Sequence, residues 1–148
     1  MTKQVSRTSG TLPRNELRGL DEQPRLYHVW FSTKLRKHLL VGDVGEEAKQ
    51  LLRAVAVEKG IDLRELETMP EHVHLMLLST REALMPQAKL LKGISARRLF
   101  QQFPGMKLDA RTDHFWQRGF GYREIEDDGS GVAWYIRTQM QRLEKYER

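Results

Sequence analysis

Residues 69–79 read Met69-Pro70-Glu71-His72-Val73-His74-Leu75-Met76-Leu77-Leu78-Ser79. Pro70 and Glu71 punctuate the chain, and the mainly apolar run from His72 to Ser79 has the length of a buried strand rather than of a helix. Ile61 to Glu67, just before it, alternates at Ile61 and Leu63 and irregularly beyond, so the two segments are expected to pair as a hairpin. On a strand, side chains two apart leave from the same face. His72 and His74 therefore stand about 7 Å apart and aim in one direction, with Val73 opposite. Such a pair can bind a divalent cation or can be two half-exposed sheet histidines, and for the short motif alone the second is commoner.

Outward from this strand, Leu26–Thr33 is rich in aromatic and β-branched residues and reads as another strand, followed by the basic turn Lys34-Leu35-Arg36-Lys37-His38. Gly45–Lys59 reads as a helix with early glutamates and Gly60 as its stop. A second helix is expected to begin near Met85-Pro86, where proline suits a first turn, and to run to Phe103 before Pro104-Gly105. A loop holding Asp109 to Asp113 precedes Phe115–Glu126, expected to be a strand with glycine breaks. Asp127-Asp128-Gly129-Ser130 then supplies a turn and cap for a last helix from Gly131 to about Glu147. The order strand, helix, strand, strand, helix, strand predicts an α+β, ferredoxin-like (RRM-like) antiparallel sheet with helices on one face and a further C-terminal helix. Residues 1–24 have no sustained period and are expected to be a flexible N-terminal arm, leaving 25–148 as one domain.

The 148 residues can bury a real core in one domain. A charged content of 30% and a mean hydropathy of −0.62 belong to a globular rather than a fibrous or membrane protein. No stretch approaches the roughly 18 apolar residues that span a bilayer, and the N-terminus lacks a secretory signal's apolar centre, so the expected location is cytoplasmic, with no membrane partner. With no cysteine, thiolate catalysis and sulfur-based zinc sites are excluded, and any metal must be held by His, carboxylate, amide or water. The 25 Lys+Arg against 20 Asp+Glu give a net charge of +5, which favours a polyanionic partner without specifying one.

In the last helix Tyr135 and Gln139 lie four apart, on one face and one turn from each other. An amide oxygen at Gln139 can complete the shell of a cation held by His72 and His74 while the Tyr135 phenol faces a bound phosphate. Taken singly, a helix Tyr is usually packing and a Gln usually solvated. A tyrosine that attacks a phosphodiester forms a phosphotyrosine and keeps the bond energy for later rejoining, and a cation beside it offsets charge in the transition state. No residue is identified as the base for a phenol with a reference pKa near 10.

Several runs together resemble the single-tyrosine HUH transposases of small bacterial insertion sequences, the insertion-sequence-200-like family. Met69–Leu75 resembles the family's Met-Pro-acidic-HUH strand, with U a hydrophobic residue. Tyr27-His28-Val29-Trp30-Phe31-Ser32-Thr33-Lys34 resembles its opening strand, and Leu91-Lys92-Gly93-Ile94-Ser95 a helix motif. Phe115-Trp116-Gln117-Arg118-Gly119-Phe120 resembles its Trp-containing strand, and Tyr135-Ile136-Arg137-Thr138-Gln139 its Tyr-x-x-x-Gln helix. These motifs occur in the family's order between Tyr27 and Gln139, while Gly121–Ile125 departs from the family's Tyr-Phe-x-x-Ser-Val run.

The resemblance implies a homodimeric enzyme that cuts and rejoins single-stranded DNA at hairpin-bearing element ends through a 5′-phosphotyrosine. Tyr135 would be the nucleophile and His72, His74 and Gln139 the ligands of Mg²⁺ or Mn²⁺. It also implies that the tyrosine helix can serve the partner subunit's site. A related enzyme acting on repetitive extragenic palindromes would share these residues, and a ferredoxin-like nucleic-acid-binding module without catalysis is the rival from another class. Given the resemblance, the basic residues of the second helix, Lys89, Lys92, Arg97 and Arg98, are expected to contact DNA phosphate, with Lys34, Arg36 and Lys37 as a second patch. Trp30, Trp116 and Trp134 either stack on unpaired bases or belong to the core.

Overall fold

The computed structural model describes residues 23–106, 114–139 and 141. The proposed arm through residue 22, the Asp109–Asp113 loop and the last helix beyond residue 141 lie outside the described residues.

Four strands form one antiparallel sheet: β1 (Arg25–Ser32), β2 (Asp62–Met69), β3 (His72–Ser79) and β4 (Gly121–Ile125), in the order β2-β3-β1-β4. The hairpin is present, with Met69 opposite His72 across the Pro70-Glu71 turn. A register shift between Leu63 and Glu65 interrupts β2. The extra residue lets Leu63 and Leu66, three apart, both pack in the main core, so the faltering alternation of this segment is the sequence signature of a bulge.

Helices α1 (Gly42–Glu58) and α2 (Arg81–Gln102) pack against one sheet face. Tyr27, Val29 and Phe31 of β1 and Val73, Leu75 and Leu77 of β3 point into that layer, where they meet Leu52, Val55, Leu84, Leu91 and Leu99. The alternate residues point the other way, towards α3 (Ser130–Arg137), where Met76 packs with Leu26, Ile125, Val132, Ala133 and Ile136. Because both faces of β3 are covered, its apolar residues run almost without a break.

Helix α1 starts at Gly42, ahead of the expected Gly45, and two further element limits differ from the sequence reading. Helix α2 begins at Arg81, four residues before Met85, because Thr80 caps it with its hydroxyl accepting from the Ala83 N–H at 3.1 Å. Pro86 therefore lies inside the helix, on its exposed side, rather than in a first turn. Phe115–Glu126 is not one strand. Trp116 makes a single bridge to Thr33, and pairing with β1 resumes only at Gly121. Between them Gly119 takes φ +80°, and the Lys92 ammonium donates to the carbonyls of Gln117 and Gly119, which draws this loop towards α2.

Candidate active site

The sheet face away from α1 and α2 presents His28 and Trp30 from β1 and His72 and His74 from β3, since these are the residues out of phase with the core set. The register sets Trp30 opposite His74 and Ser32 opposite His72. His72 and His74 are half-buried, and their Nε2 atoms are 3.0 Å apart. Two nitrogens bonded to one cation at about 2.1 Å, at the right angle of an octahedral shell, stand about 3.0 Å from each other. The imidazole pair thus fits a shared cation.

Each Nδ1 is held from behind. The Nδ1 of His72 lies 2.7 Å from the Glu71 carboxylate, and that of His74 lies 2.9 Å from Nε2 of His28. A carboxylate only accepts, so His72 donates from Nδ1 and keeps an Nε2 lone pair for its neighbour. Burial, then the adjacent His72 and His28, depress the His74 pKa to about 4, so this imidazole is neutral at physiological pH, as a metal ligand must be. His28 is lowered too, by burial and then by Arg123.

Glu71 is itself fixed in place. Its carbonyl accepts from the Thr33 N–H at 2.8 Å, and the hydroxyl of the fully buried Thr33, 3.2 Å from that carbonyl, donates to the Lys37 carbonyl at 2.6 Å and so ties the basic turn to the same corner. Arg36 and His38 each approach its carboxylate at 3.6 Å. The basic turn after β1 therefore closes over the Glu71-His72 corner, with Leu35 and Arg36 both in the left-handed region at φ 59° and 54°.

Tyr135 reaches the same face from α3. Its ring centroid is 5.9 Å from that of His74 and 6.4 Å from that of His28, and 39% of the residue is exposed. Gln139 follows four positions on, half-buried. Asp127 and Asp128 shape the entry to this helix, their carboxylates accepting from the N–H groups of Gly129 at 2.8 Å and Ser130 at 3.0 Å. Among the described residues no three His, Cys, Asp or Glu side chains form a metal centre. A cation here would need an amide or similar donor beside the two histidines.

The basic residues separate into two groups. Lys34 lines a cleft of about 580 Å³ with Lys92, His114 and Arg118, and Arg36 is largely exposed while donating to the Ser32 hydroxyl at 2.9 Å. Lys37 is half-buried. On α2, across the sheet from the histidines, Lys89 and Arg97 are exposed. Arg98 instead forms a paired contact with Glu58 at 2.8 and 2.9 Å, and Lys92 is turned onto backbone carbonyls. Trp116 is core, its indole N–H donating to Ser95 at 3.0 Å, whereas Trp134 is 56% exposed beside Tyr135. Two motif residues, Ser95 and Trp116, thus serve to join α2 to the segment before β4. His28 was not among the candidate residues of the sequence reading. Its signal was the two-residue spacing to Trp30 on the opening strand, which cannot be read as a site until β1 is known to lie beside β3.

The family model described as Transposase IS200 like matches residues 24–139. The chain is 34% identical over 115 residues to the ISDra2 transposase TnpA of Deinococcus radiodurans, covering 76% of this chain and 82% of that one. It is 26% identical over 116 residues to the transposase for insertion sequence element IS200 of Salmonella typhimurium, covering 78% and 76% respectively. A crystal structure of a transposase candidate from Deinococcus radiodurans R1 superposes with a TM-score of 0.64 at 28% identity, over 97% of this chain and 98% of that one. A REP-associated tyrosine transposase bound to a REP hairpin shares the fold, with a TM-score of 0.58 at 14% identity over 80% of this chain and 68% of the other. With the family's pattern matched along most of its length, the chain belongs to the IS200-like transposase family.

Proposed function

We propose that the protein is a DNA transposase that cuts and rejoins single-stranded DNA at insertion-sequence ends, with Tyr135 as nucleophile. The observation that carries this reading is the shared face: the Tyr135 ring stands 5.9 Å from His74, whose Nε2 is 3.0 Å from that of His72. In the proposed step the phenol oxygen bonds to phosphorus, the bond from phosphorus to the 3′ oxygen breaks, and the proton that the phenol gives up to water is balanced by one that the departing 3′ oxygen takes from water. The products are a 5′-phosphotyrosine and a free 3′-hydroxyl, which can attack another such linkage and restore the tyrosine.

His72, His74 and Gln139 would hold Mg²⁺ or Mn²⁺, which supplies charge stabilisation at the phosphate oxygens. Glu71 and His28 keep the two imidazoles oriented. Tyr135 is 39% exposed, in keeping with access by an extended strand, and the exposed Trp134 beside it offers a surface on which a base can stack. Lys34, Arg36, Lys37, Lys89 and Arg97 are proposed to contact phosphate, whereas Lys92 and Arg98 would have to give up their internal partners to do so.

The DNA proposed is a single strand bearing a hairpin near each end, in keeping with the hairpin bound by the REP-associated relative of the same fold. The working unit proposed is a homodimer in which the tyrosine helix can act on the partner's histidines. The curated relatives above are insertion-sequence transposases, which favours element ends over chromosomal palindromes as substrate.

Incubation with single-stranded element-end oligonucleotides and Mg²⁺ or Mn²⁺ should give a protein–DNA adduct that survives denaturation. Tyr135→Phe should abolish it, and His72→Ala should lower its yield by roughly a hundredfold or more. An adduct undiminished in Tyr135→Phe removes the nucleophile, and no adduct under any condition favours a binding module without catalysis.

A further inference from the structure

We infer that His28 is a positioning residue for the cation site: it holds the His74 imidazole from behind and so sets which of its nitrogens faces His72. The inference rests on the reading of His72 and His74 as cation ligands. His28 is 6% exposed, and its Nε2 lies 2.9 Å from Nδ1 of His74. The other ring nitrogen of His28, Nδ1, is buried with no hydrogen-bond partner among the described residues. Among the described residues the contact to His74 is therefore the one side-chain hydrogen bond that this buried imidazole makes.

The proton positions follow from Glu71 inward. Its carboxylate accepts from His72 Nδ1–H at 2.7 Å, so His72 Nε2 accepts from His74 Nε2–H at 3.0 Å, and His74 Nδ1 in turn accepts from His28 Nε2–H. The orphaned Nδ1 of His28 is then a bare lone pair and not an unpaired N–H, which is the less costly group to bury. For His74 to offer its Nε2 lone pair to a cation, its proton must sit on Nδ1, and the atom behind it must change from donor to acceptor. The number of protons on the three rings is unchanged by this shift. A histidine at position 28 can play both parts, as can an amide, whereas an apolar side chain can play neither.

A buried imidazole with half its hydrogen-bonding capacity unused is a poor choice for packing alone. Stability and cation binding should therefore respond differently to substitution, which separates positioning from mere support of the fold. Mn²⁺ affinity measured by calorimetry on the DNA-free protein, with melting temperature measured alongside, gives the test. The parent should bind Mn²⁺, and His74→Ala should lose it. His28→Leu should melt no lower than the parent yet bind Mn²⁺ about 10- to 100-fold more weakly. His28→Gln, which places a donor-or-acceptor amide at the same reach, should recover most of the loss. Imidazole ¹⁵N spectra of the parent with saturating Mg²⁺ should show His74 protonated at Nδ1, and this readout needs no variant to fold.

If the parent fails to bind Mn²⁺, the cation reading falls and this inference falls with it. If the parent binds and His74→Ala does not, but His28→Leu binds within twofold of the parent, only the role of His28 is overturned. Equal weakening in His28→Leu and His28→Gln, or a proton found on His74 Nε2 in the Mg²⁺-loaded spectra, also overturns it.

Discussion

Neutrality of the imidazoles has a consequence for stability. In the unfolded chain His28 and His74 titrate near 6.5, whereas in the fold both are lowered, His74 to about 4 chiefly by burial. Above pH 6.5 neither state takes up a proton at these rings and stability is flat with respect to them. As pH falls from 6.5 towards 4 the unfolded chain gains protons that the folded one refuses, so stability is lost across that window. Urea denaturation of the metal-free protein at pH 7.5 and pH 5 should show this decline, with a shallower one in His28→Leu/His74→Leu. An equal decline in that double variant would place its origin elsewhere. At this scale the sequence was informative about His72, His74 and Tyr135, because strand and helix periods fix which residues share a face. It was silent about His28, whose partner lies 46 positions away.

Among the elements, β4 carries the closest fit. Gly121 stands opposite Trp30, and a Cβ at position 121 would run into the indole ring, which lies 5.0 Å from His28. Gly121→Ala should therefore push Trp30 towards the site, lower stability by about 1–3 kcal/mol and shift the tryptophan emission. Unchanged melting and emission would show that Trp30 has room to move. The limits of α2 and β4 were misread for related reasons. A proline marks a permitted first turn but does not forbid a later position on an exposed side, and Thr80 supplied the stronger start. Phe115 and Trp116 have strand-forming side chains, yet both are drawn into the core, and the loop after them is pinned by Lys92.

At the scale of the whole molecule the two sheet faces are unequal. One carries α1 and α2 over an extensive core, while among the described residues α3 packs through a smaller cluster around Met76, Ile125 and Ile136, through the Tyr135 ring against His74 and His28, and through the Arg137–Glu65 pair at 3.1 Å. Helix α3 should accordingly open more readily than the rest, its amides exchanging at least tenfold faster than those of α1 and β3. Hydrogen exchange read by mass spectrometry decides this, and equal protection across the three elements would contradict it. A tyrosine helix that opens in this way would suit a nucleophile proposed to exchange between subunits. Among the described residues no helix is long and apolar enough to cross a membrane.

The order of strands and helices, the sheet face shared by His72 and His74 and the helix bearing Tyr135 were determined by local sequence, since each depends on periodicity and on turn residues within a few positions. What only the tertiary structure decided is which distant residues meet. Strand β1 lies beside β3, which brings His28 behind His74. The turn after β1 folds onto Glu71, and Lys92 and Arg98 are spent on Gln117, Gly119 and Glu58 rather than left facing outward. Those pairings depend on strand order and packing between segments tens of residues apart, and one-dimensional spacing carries no record of either.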